Sequence, residues 1–281
     1  MFSSRPSRAL RIFTYAILIL WAFFCLAPLY WIFSTAFKPP AEAEAYPPTF
    51  IPRSITLENF VYIFTKSRNF GVMPFLNSFI YASGTALLTV GICSLSGYAL
   101  SRYRFPGRRW IGVAMFFLNM LPALSKLIAL YIMYSRLGLY DTRIGLILLY
   151  TAGQVAFGTW VMKGYFDSIP LDLEEAARVD GASPWQCLLY VTLPLSLPGM
   201  GAVAVNAFSS GWDEFMLALT LTQSKELRPY TVALSALVGE YGRVAWHHVS
   251  AAGVVSLLPI VLLFVIFQRA FVAGLSAGGT K

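Results

Sequence analysis

The chain has 281 residues, of which 57% are hydrophobic and only 12% charged. Soluble domains carry about a quarter charged residues, so much of this surface faces something other than water, and the apolar stretches leave no room for a separate globular domain. The net charge of +8 comes from basic residues at the ends of hydrophobic runs, without the basic stripe and interleaved aromatics of a nucleic-acid surface; nucleic acid is excluded as a partner.

A membrane span needs roughly 20 mainly apolar residues, and six stretches qualify. The first, 12–37, follows Arg5, Arg8 and Arg11. Its apolar run is longer than that of a secretion signal and no convincing small-residue cleavage site follows, so it is expected to be retained. The loop at 38–71 contains five prolines and is expected to run as an ordered, extended excursion. The second span, 72–100, is rich in Ser, Gly and Thr, a composition that lets helices approach closely and predicts packing within the protein. It leads into SRYRFPGRRW, where Arg102, Arg104, Arg108 and Arg109 gather without an acid. Spans at 110–135, 143–166, 195–221 and 249–273 complete the set. Lys and Arg concentrate in short cytoplasmic loops, so the arginine loop, both termini and the loop at 167–194 are placed inside. The expected fold is all-α: one polytopic domain over residues 1–281 with six transmembrane helices and both termini cytoplasmic. Cys25, Cys93 and Cys187 show no metal or redox spacing and are read as small core residues. His247 and His248 have no acidic or cysteine companions at ligand spacing, so no metal site is expected.

The loop DSIPLDLEEAARVDGASPWQCLLYVTLP at 167–194 encodes two short helices. Asp172 suits an N-cap with Glu175 three residues on, as in a capping box. Glu174 and Arg178 stand at i and i+4 in the favourable order, and Gly181 is placed to end the helix in a left-handed turn. Ser183, Pro184 and Gln186 provide cap, first position and box partner for the second helix. Local physics leaves open whether this is an amphipathic connector lying along the membrane or a docking element.

A resemblance favours the second reading. Glu175-Ala176-Ala177, three residues, Gly181, nine residues, Val191, one residue, Leu193-Pro194 resembles the EAA signature of ABC-importer permease subunits, with Val191 where Ile is usual. Tyr46-Pro47-Pro48, Asn59-Phe60, Asn77-Ser78, Gly97-Tyr98, Leu137-Gly138-Leu139, Ile169-Pro170 and Trp212-Asp213-Glu214-Phe215 extend the likeness to the carbohydrate-uptake permeases of the maltose-transporter type, specifically their second, six-span subunit. Asp213 stands where that family usually has Asn, and the tail GLSAGGTK departs from the family's ending. The resemblance implies a bacterial or archaeal cytoplasmic membrane, a second permease, two ATPase subunits and an extracytoplasmic substrate-binding protein, received in part by the loop at 38–71. It also implies that Glu174, Glu175, Ala176, Ala177, Arg178, Asp180, Gly181, Leu193 and Pro194 couple to the ATPase, with Glu174 and Glu175 offering charges to basic residues there. The chain contains no Gly-x-x-x-x-Gly-Lys-Ser/Thr phosphate loop; ATP and Mg are expected on the partner ATPase, with no cofactor and no catalytic residue in this chain.

Polar groups at membrane depth are candidates for function. At roughly 1.5 Å per helical residue, Asn119, Gln154 and Asn206 fall near the midplane and suit sugar hydroxyls, or else bond neighbouring helices. Tyr150 and Trp212 are candidate flat faces for a sugar ring, and Asp213 and Glu214 candidates for an outer gate. Lys126 either snorkels to the outer interface or faces a cavity. A secondary transporter or channel would call for paired ionisable groups at the midplane and internal repeats, and a membrane enzyme for a catalytic constellation; neither is visible. The sequence does not name the solute: a di- or oligosaccharide is expected, with a glycerol-phosphate type solute as the alternative.

Overall fold

The computed structural model describes residues 8–68, 70–120, 123–238 and 244–278. It divides into two compact units, residues 1–71 with 234–257 and residues 72–233 with 258–281.

In the first unit, α1 (Arg8–Ala36) is a 29-residue helix with Pro28 in its interior. Its sequence holds no glycine and is dominated by Leu, Ile, Ala and Phe, and neighbouring groups in a bilayer tolerate such a proline. The most apolar part of α1 buries nothing within this chain. The loop that follows is stapled to the end of α1. Asn59, 1% exposed, donates from Nδ2 to the carbonyls of Ala36 and Lys38, each at 2.8 Å. Lys38 donates to the Thr49 carbonyl and lies 4.6 Å from the Trp31 ring centroid, so its ammonium is satisfied by a carbonyl and an aromatic face. The expected extended excursion instead contains α2 (Pro40–Ala43) and α3 (Glu58–Thr65), and the Tyr46–Pro47 peptide is cis. Tyr62 stacks on His248 with centroids 3.8 Å apart, which joins α3 to the start of α14 (Trp246–Gly278).

The second unit is built around α4 (Val72–Arg102), which packs along α7 (Arg143–Ser168) and α11 (Leu197–Asp213). The small-residue composition of the second span does what it predicts. Ser78, Thr85, Thr89, Cys93 and Gly97 all lie on the buried side of α4. A Cβ on Gly97 would stand 2.8 Å from Met162 Cβ and 3.0 Å from the Lys163 backbone nitrogen; one on Gly158 would stand 2.7 Å from Cys93 Sγ. The helices therefore touch backbone to backbone. Cys93, Tyr98, Met162, Phe166, Leu188 and Val203 form the core at one end. Tyr81, Tyr134, Leu146, Leu149, Tyr150 and Leu221 form it at the other.

Among the described residues, four helices are long and apolar enough to cross a membrane: α1, α4, α7 and α14. The expected third span falls on α5 (Arg108–Met120) and α6 (Ala123–Arg136), whose junction at 121–122 is outside the described residues. The expected fifth span, 195–221, is not one helix. α11 ends at Asp213, and α12 (Met216–Leu221) begins after a break at Glu214-Phe215. At its other end α11 meets the helical stretch Pro184–Leu195 at a 76° bend, and the pair counts as a fifth span if taken together. Cys93 and Cys187 are buried as expected, but Cys25 is exposed on α1.

At the end of the unit away from Arg102, α4 holds the chain that follows α12. Asn77 Nδ2 donates to the carbonyls of Glu226 (2.7 Å) and Arg228 (3.2 Å). Tyr81 Oη donates to the Leu227 carbonyl at 2.7 Å, and Ser78 Oγ accepts from the Tyr230 amide at 2.8 Å. Asp141, at φ 55°, accepts from the amides of Gln223 and Ser224 at 2.9 and 3.1 Å. The Asn77-Ser78 pair thus satisfies backbone that water would otherwise have to reach.

Gly97→Ala drives a methyl into the α7 backbone and should cost about 1–3 kcal/mol, whereas Gly91→Ala meets nothing within 4 Å and should be neutral or stabilising. Thermal unfolding of the detergent-purified variants checks this; equal melting temperatures would contradict the close packing.

Candidate docking element and polar path

The loop after α7 folds into α8 (Leu171–Val179). Its N-cap is Pro170, which makes no side-chain cap bond. The expected Asp172 cap is therefore corrected: Ile169-Pro170 starts the helix two residues earlier, and Asp172 lies within the first turn, where an acid suits the helix dipole. The far end is as expected. Gly181 sits at φ +89°, its amide donates to Arg178 O at 3.0 Å, and the Ala182 amide reaches Ala177 O at 2.9 Å. That pair of bonds is a Schellman closure, which satisfies the last carbonyls and stops the helix. Ser183 and Gln186 then form a capping box around α9 (Pro184–Gln186). A π-helical turn, Cys187–Thr192, and α10 (Leu193–Leu195) follow.

What holds α8 in place is a buried ionic node. Glu174 is 1% exposed. Its Oε1 accepts from Arg102 Nε at 2.7 Å and from Thr192 Oγ1 at 2.9 Å, and its Oε2 accepts from Tyr98 Oη at 3.0 Å. Arg102 also donates to the Ile169 carbonyl at 3.1 Å and to Ser101 Oγ, which donates to Asp167 at 2.7 Å. One carboxylate thus joins the end of α4, the start of α8 and the π turn. Burial pushes the Glu174 carboxyl up, but the hydrogen bonds from Arg102, Thr192 and Tyr98 outweigh it and hold it below the ordinary value of 4.5. The π turn puts Thr192 where it can reach the carboxylate; such turns recur at functional sites.

The two acids of the signature therefore have different roles. Glu174, expected to pair with a partner, is spent inside this chain, and among the described residues its one further ion pair is the loose i,i+4 contact to Arg178 at 3.9 Å. Glu175 and Ala176 are exposed, as are Arg178, Asp180 and Gly181, while Ala177 is half-buried. A cavity of about 310 Å³ lies between α8 and the following turns, lined by Ala177, Asp180, Gly181, Gln186, Tyr190 and Val191. Of the signature's Leu193-Pro194, Leu193 is half-buried and Pro194 exposed at the second position of α10. Sequence reasoning missed Tyr98, Arg102 and Thr192. The signal was an arginine at the end of a buried, small-residue helix, which had been read only as an orientation charge.

The expected polar path is only partly assembled. Gln154 is half-buried and Asn206 exposed; the side chain of Asn119 lies outside the described residues. Tyr150 is 5% exposed and Trp212 fully buried, so neither offers an open face to a sugar. Tyr150 meets Tyr81 edge-on, and Trp212 is enclosed by Phe75, Phe208 and Tyr230. Asp213 is exposed and accepts from Tyr230 Oη at 3.1 Å. Glu214 accepts from the Leu217 amide at 3.0 Å, which caps α12 across the break. Lys126 is half-buried on α6.

With this geometry in view, the comparisons give the class. The chain belongs to the family of binding-protein-dependent transport system inner membrane components, whose model matches residues 94–277; it is a multi-pass membrane permease. It is similar to the trehalose/maltose transport system permease protein MalG of Thermococcus litoralis, 35% identical over 268 residues and 94% of each chain. It is also similar to the sulfoquinovosyl glycerol transport system permease protein SmoH of Agrobacterium fabrum, 35% identical over 281 residues, covering 100% of this chain and 95% of that one. Among solved structures it superposes on a chain of a bacterial ABC transporter involved in the import of the acidic polysaccharide alginate, with a TM-score of 0.83 at 25% identity, covering 96% of this chain and 99% of that one.

Glu174→Ala leaves a buried guanidinium without its carboxylate and should cost about 3–5 kcal/mol, while exposed Glu175→Ala should stay within about 0.5 kcal/mol, measured by thermal unfolding in detergent. Because the folded pKa of Glu174 is depressed, its contribution is complete above the ordinary value of 4.5 and is lost as pH falls below it through the folded pKa. Wild type should therefore lose more stability than Glu174→Gln between pH 5 and acid; parallel curves would refute the node.

Proposed function

We propose that this chain is one of two permease subunits of an ATP-driven sugar importer, and that it couples to a separate ATPase through α8. Two ATPase subunits bind and hydrolyse ATP with Mg, an extracytoplasmic binding protein delivers the solute, and this chain is non-catalytic. A six-span topology would put both termini and α8 in the cytoplasm. The coincidence of docking helix and basic loop supports that orientation: Arg102 of the arginine-rich turn and Glu174 of α8 are bonded to one another, so one end of the unit carries both. Lys and Arg favour the inside.

The observation that carries the reading is the split within the signature. Glu174 fixes α8 to the bundle, while Glu175, Ala176 and Gly181 are displayed to a partner. Val179 (88% exposed), Trp185 (62%) and Tyr190 (75%) surround them with apolar surface of the sort that marks interaction sites. Closure of the ATPase dimer would push α8 as a rigid body. The node would pass that push to α4 and, through Ile169 and Asp167, to the end of α7, rocking the spans between inward- and outward-facing states.

The solute is a di- or oligosaccharide on the precedent of the trehalose/maltose relative. The sulfoquinovosyl glycerol relative favours a second reading, a glycerol-linked solute. Gln154, Asn206 and Asp213 are the path residues that keep an accessible polar group; Asn119 and Lys126 remain candidates by depth alone.

Glu175→Ala with Gly181→Asp removes an interface charge and puts a side chain on a left-handed backbone. In cells expressing the full operon, sugar uptake should fall about tenfold or more, the loss expected when a docked charge pair is broken. Uptake left intact, or a wild-type chain that brings down no ATPase, would end the coupling reading.

A further inference from the structure

The second unit contains a feature outside the docking element and the candidate polar path. A cavity of about 500 Å³ lies among α4, α5 and α7, lined by Leu100, Gly112, Met115, Thr159, Trp160 and Lys163 among others. Its wall is almost wholly apolar, and Lys163 is the charged residue in its lining. On α5, Arg108, Gly112 and Met115 follow at i, i+4 and i+7 and so share one face. Arg108 is therefore one turn beyond the cavity wall, on the arginine-loop side. α7 approaches that side with Lys163 last, after Thr159 and Trp160. Arg108 acts electrostatically on the Asp167 carboxylate that pairs with Lys163, which brings the basic residues of the two helices to the same mouth.

The charges at this mouth do not cancel. Lys163 is paired with Asp167 and Arg102 with Glu174. Arg104, Arg108 and Arg109 have no carboxylate partner within ion-pair distance among the described residues. Trp160 and Trp110 flank the region, each 74% exposed, as tryptophans do at a membrane–water interface. An apolar slot with an uncompensated cationic mouth at interface depth has the chemistry of an anionic amphiphile: a chain in the slot, a phosphate against the guanidiniums. Basic pockets between transmembrane helices on the cytoplasmic side bind such head groups.

We propose that this cavity is a binding site for an anionic phospholipid of the surrounding leaflet, with one acyl chain between α5 and α7 and the phosphate at Arg108. It rests on the membrane reading and not on the transported solute. The position has a consequence for coupling, because the lipid would brace α5 against α7 and α4, next to the node that holds α8.

The test uses the intact importer in nanodiscs containing either phosphatidylglycerol or phosphatidylcholine brominated on the acyl chain. Bromine quenches nearby tryptophan, and subtracting the Trp160→Phe complex isolates Trp160. We expect Trp160 to be quenched at about fivefold lower mole fraction of the brominated phosphatidylglycerol, the preference one basic residue supplies near a membrane surface. Arg108→Gln should remove the preference. Gly112→Leu, whose Cβ meets nothing within 4 Å, should fill the slot and abolish quenching by both lipids while the complex still assembles. Equal quenching by the two lipids in wild type would mean bulk lipid only. No quenching by either would mean that a protein surface covers the slot, and a preference that survives Arg108→Gln would remove the head-group assignment. Each of these overturns the proposal.

Discussion

A carboxylate taken out of water must be paired and hydrogen-bonded or it will not stay ionised, and Glu174 meets that requirement with groups from two other segments, α4 and the π turn. Removing it would free α8 from the bundle. Keeping it fixes the end of α4, the first turn of α8 and the π turn in one arrangement, because Arg102, Tyr98 and Thr192 converge on the same two oxygens. The rest of the docking element depends on this. The Schellman closure at Gly181 and the capping box at Ser183 make two rigid pieces of the loop, and the node ties them to the end of α4.

The node also explains why the helices behind it are built from small residues. A push delivered to the end of α4 reaches the bundle only if α4 is in firm contact with its neighbours, and Gly97 and Gly158 bring α4 and α7 within backbone distance. Interiors packed this closely transmit displacement with little give. At the opposite end of α4, Asn77, Ser78 and Tyr81 hold the chain that follows α12 through its backbone. One helix therefore carries the attachments at both ends of the unit, which suits a part that must tilt as a body.

Much of this was legible in the sequence, because the signals were local. Length and apolarity mark α1, α4, α7 and α14, and the Ser-Gly-Thr content of α4 foretold its burial. Gly181 and the Ser183–Gln186 box declared themselves by residue type. What was not legible needed distances in space. Asp172 and Glu175 stand at capping-box spacing, yet Ile169-Pro170 turns the chain earlier and Pro170 takes the cap. Glu174 and Glu175 are equivalent acids in the sequence, and only the approach of Arg102 separates the buried one from the exposed one. Trp212 and Tyr150 were assigned to a sugar path by depth along the helix, but depth says nothing about which side a ring faces, and both are enclosed by other aromatics. The break at Glu214-Phe215 was hidden because apolar sequence resumes at Phe215 just beyond the Asp213-Glu214 pair.

The central claim, that the Glu174–Arg102 node carries motion from the ATPase side into the bundle, is tested most directly by the coupling ratio: sugar transported per ATP hydrolysed by the complete importer in proteoliposomes, wild type against Glu174→Gln. The account predicts that the variant complex still assembles and hydrolyses ATP while the ratio falls severalfold. A Glu174→Gln importer with an unchanged ratio would contradict it.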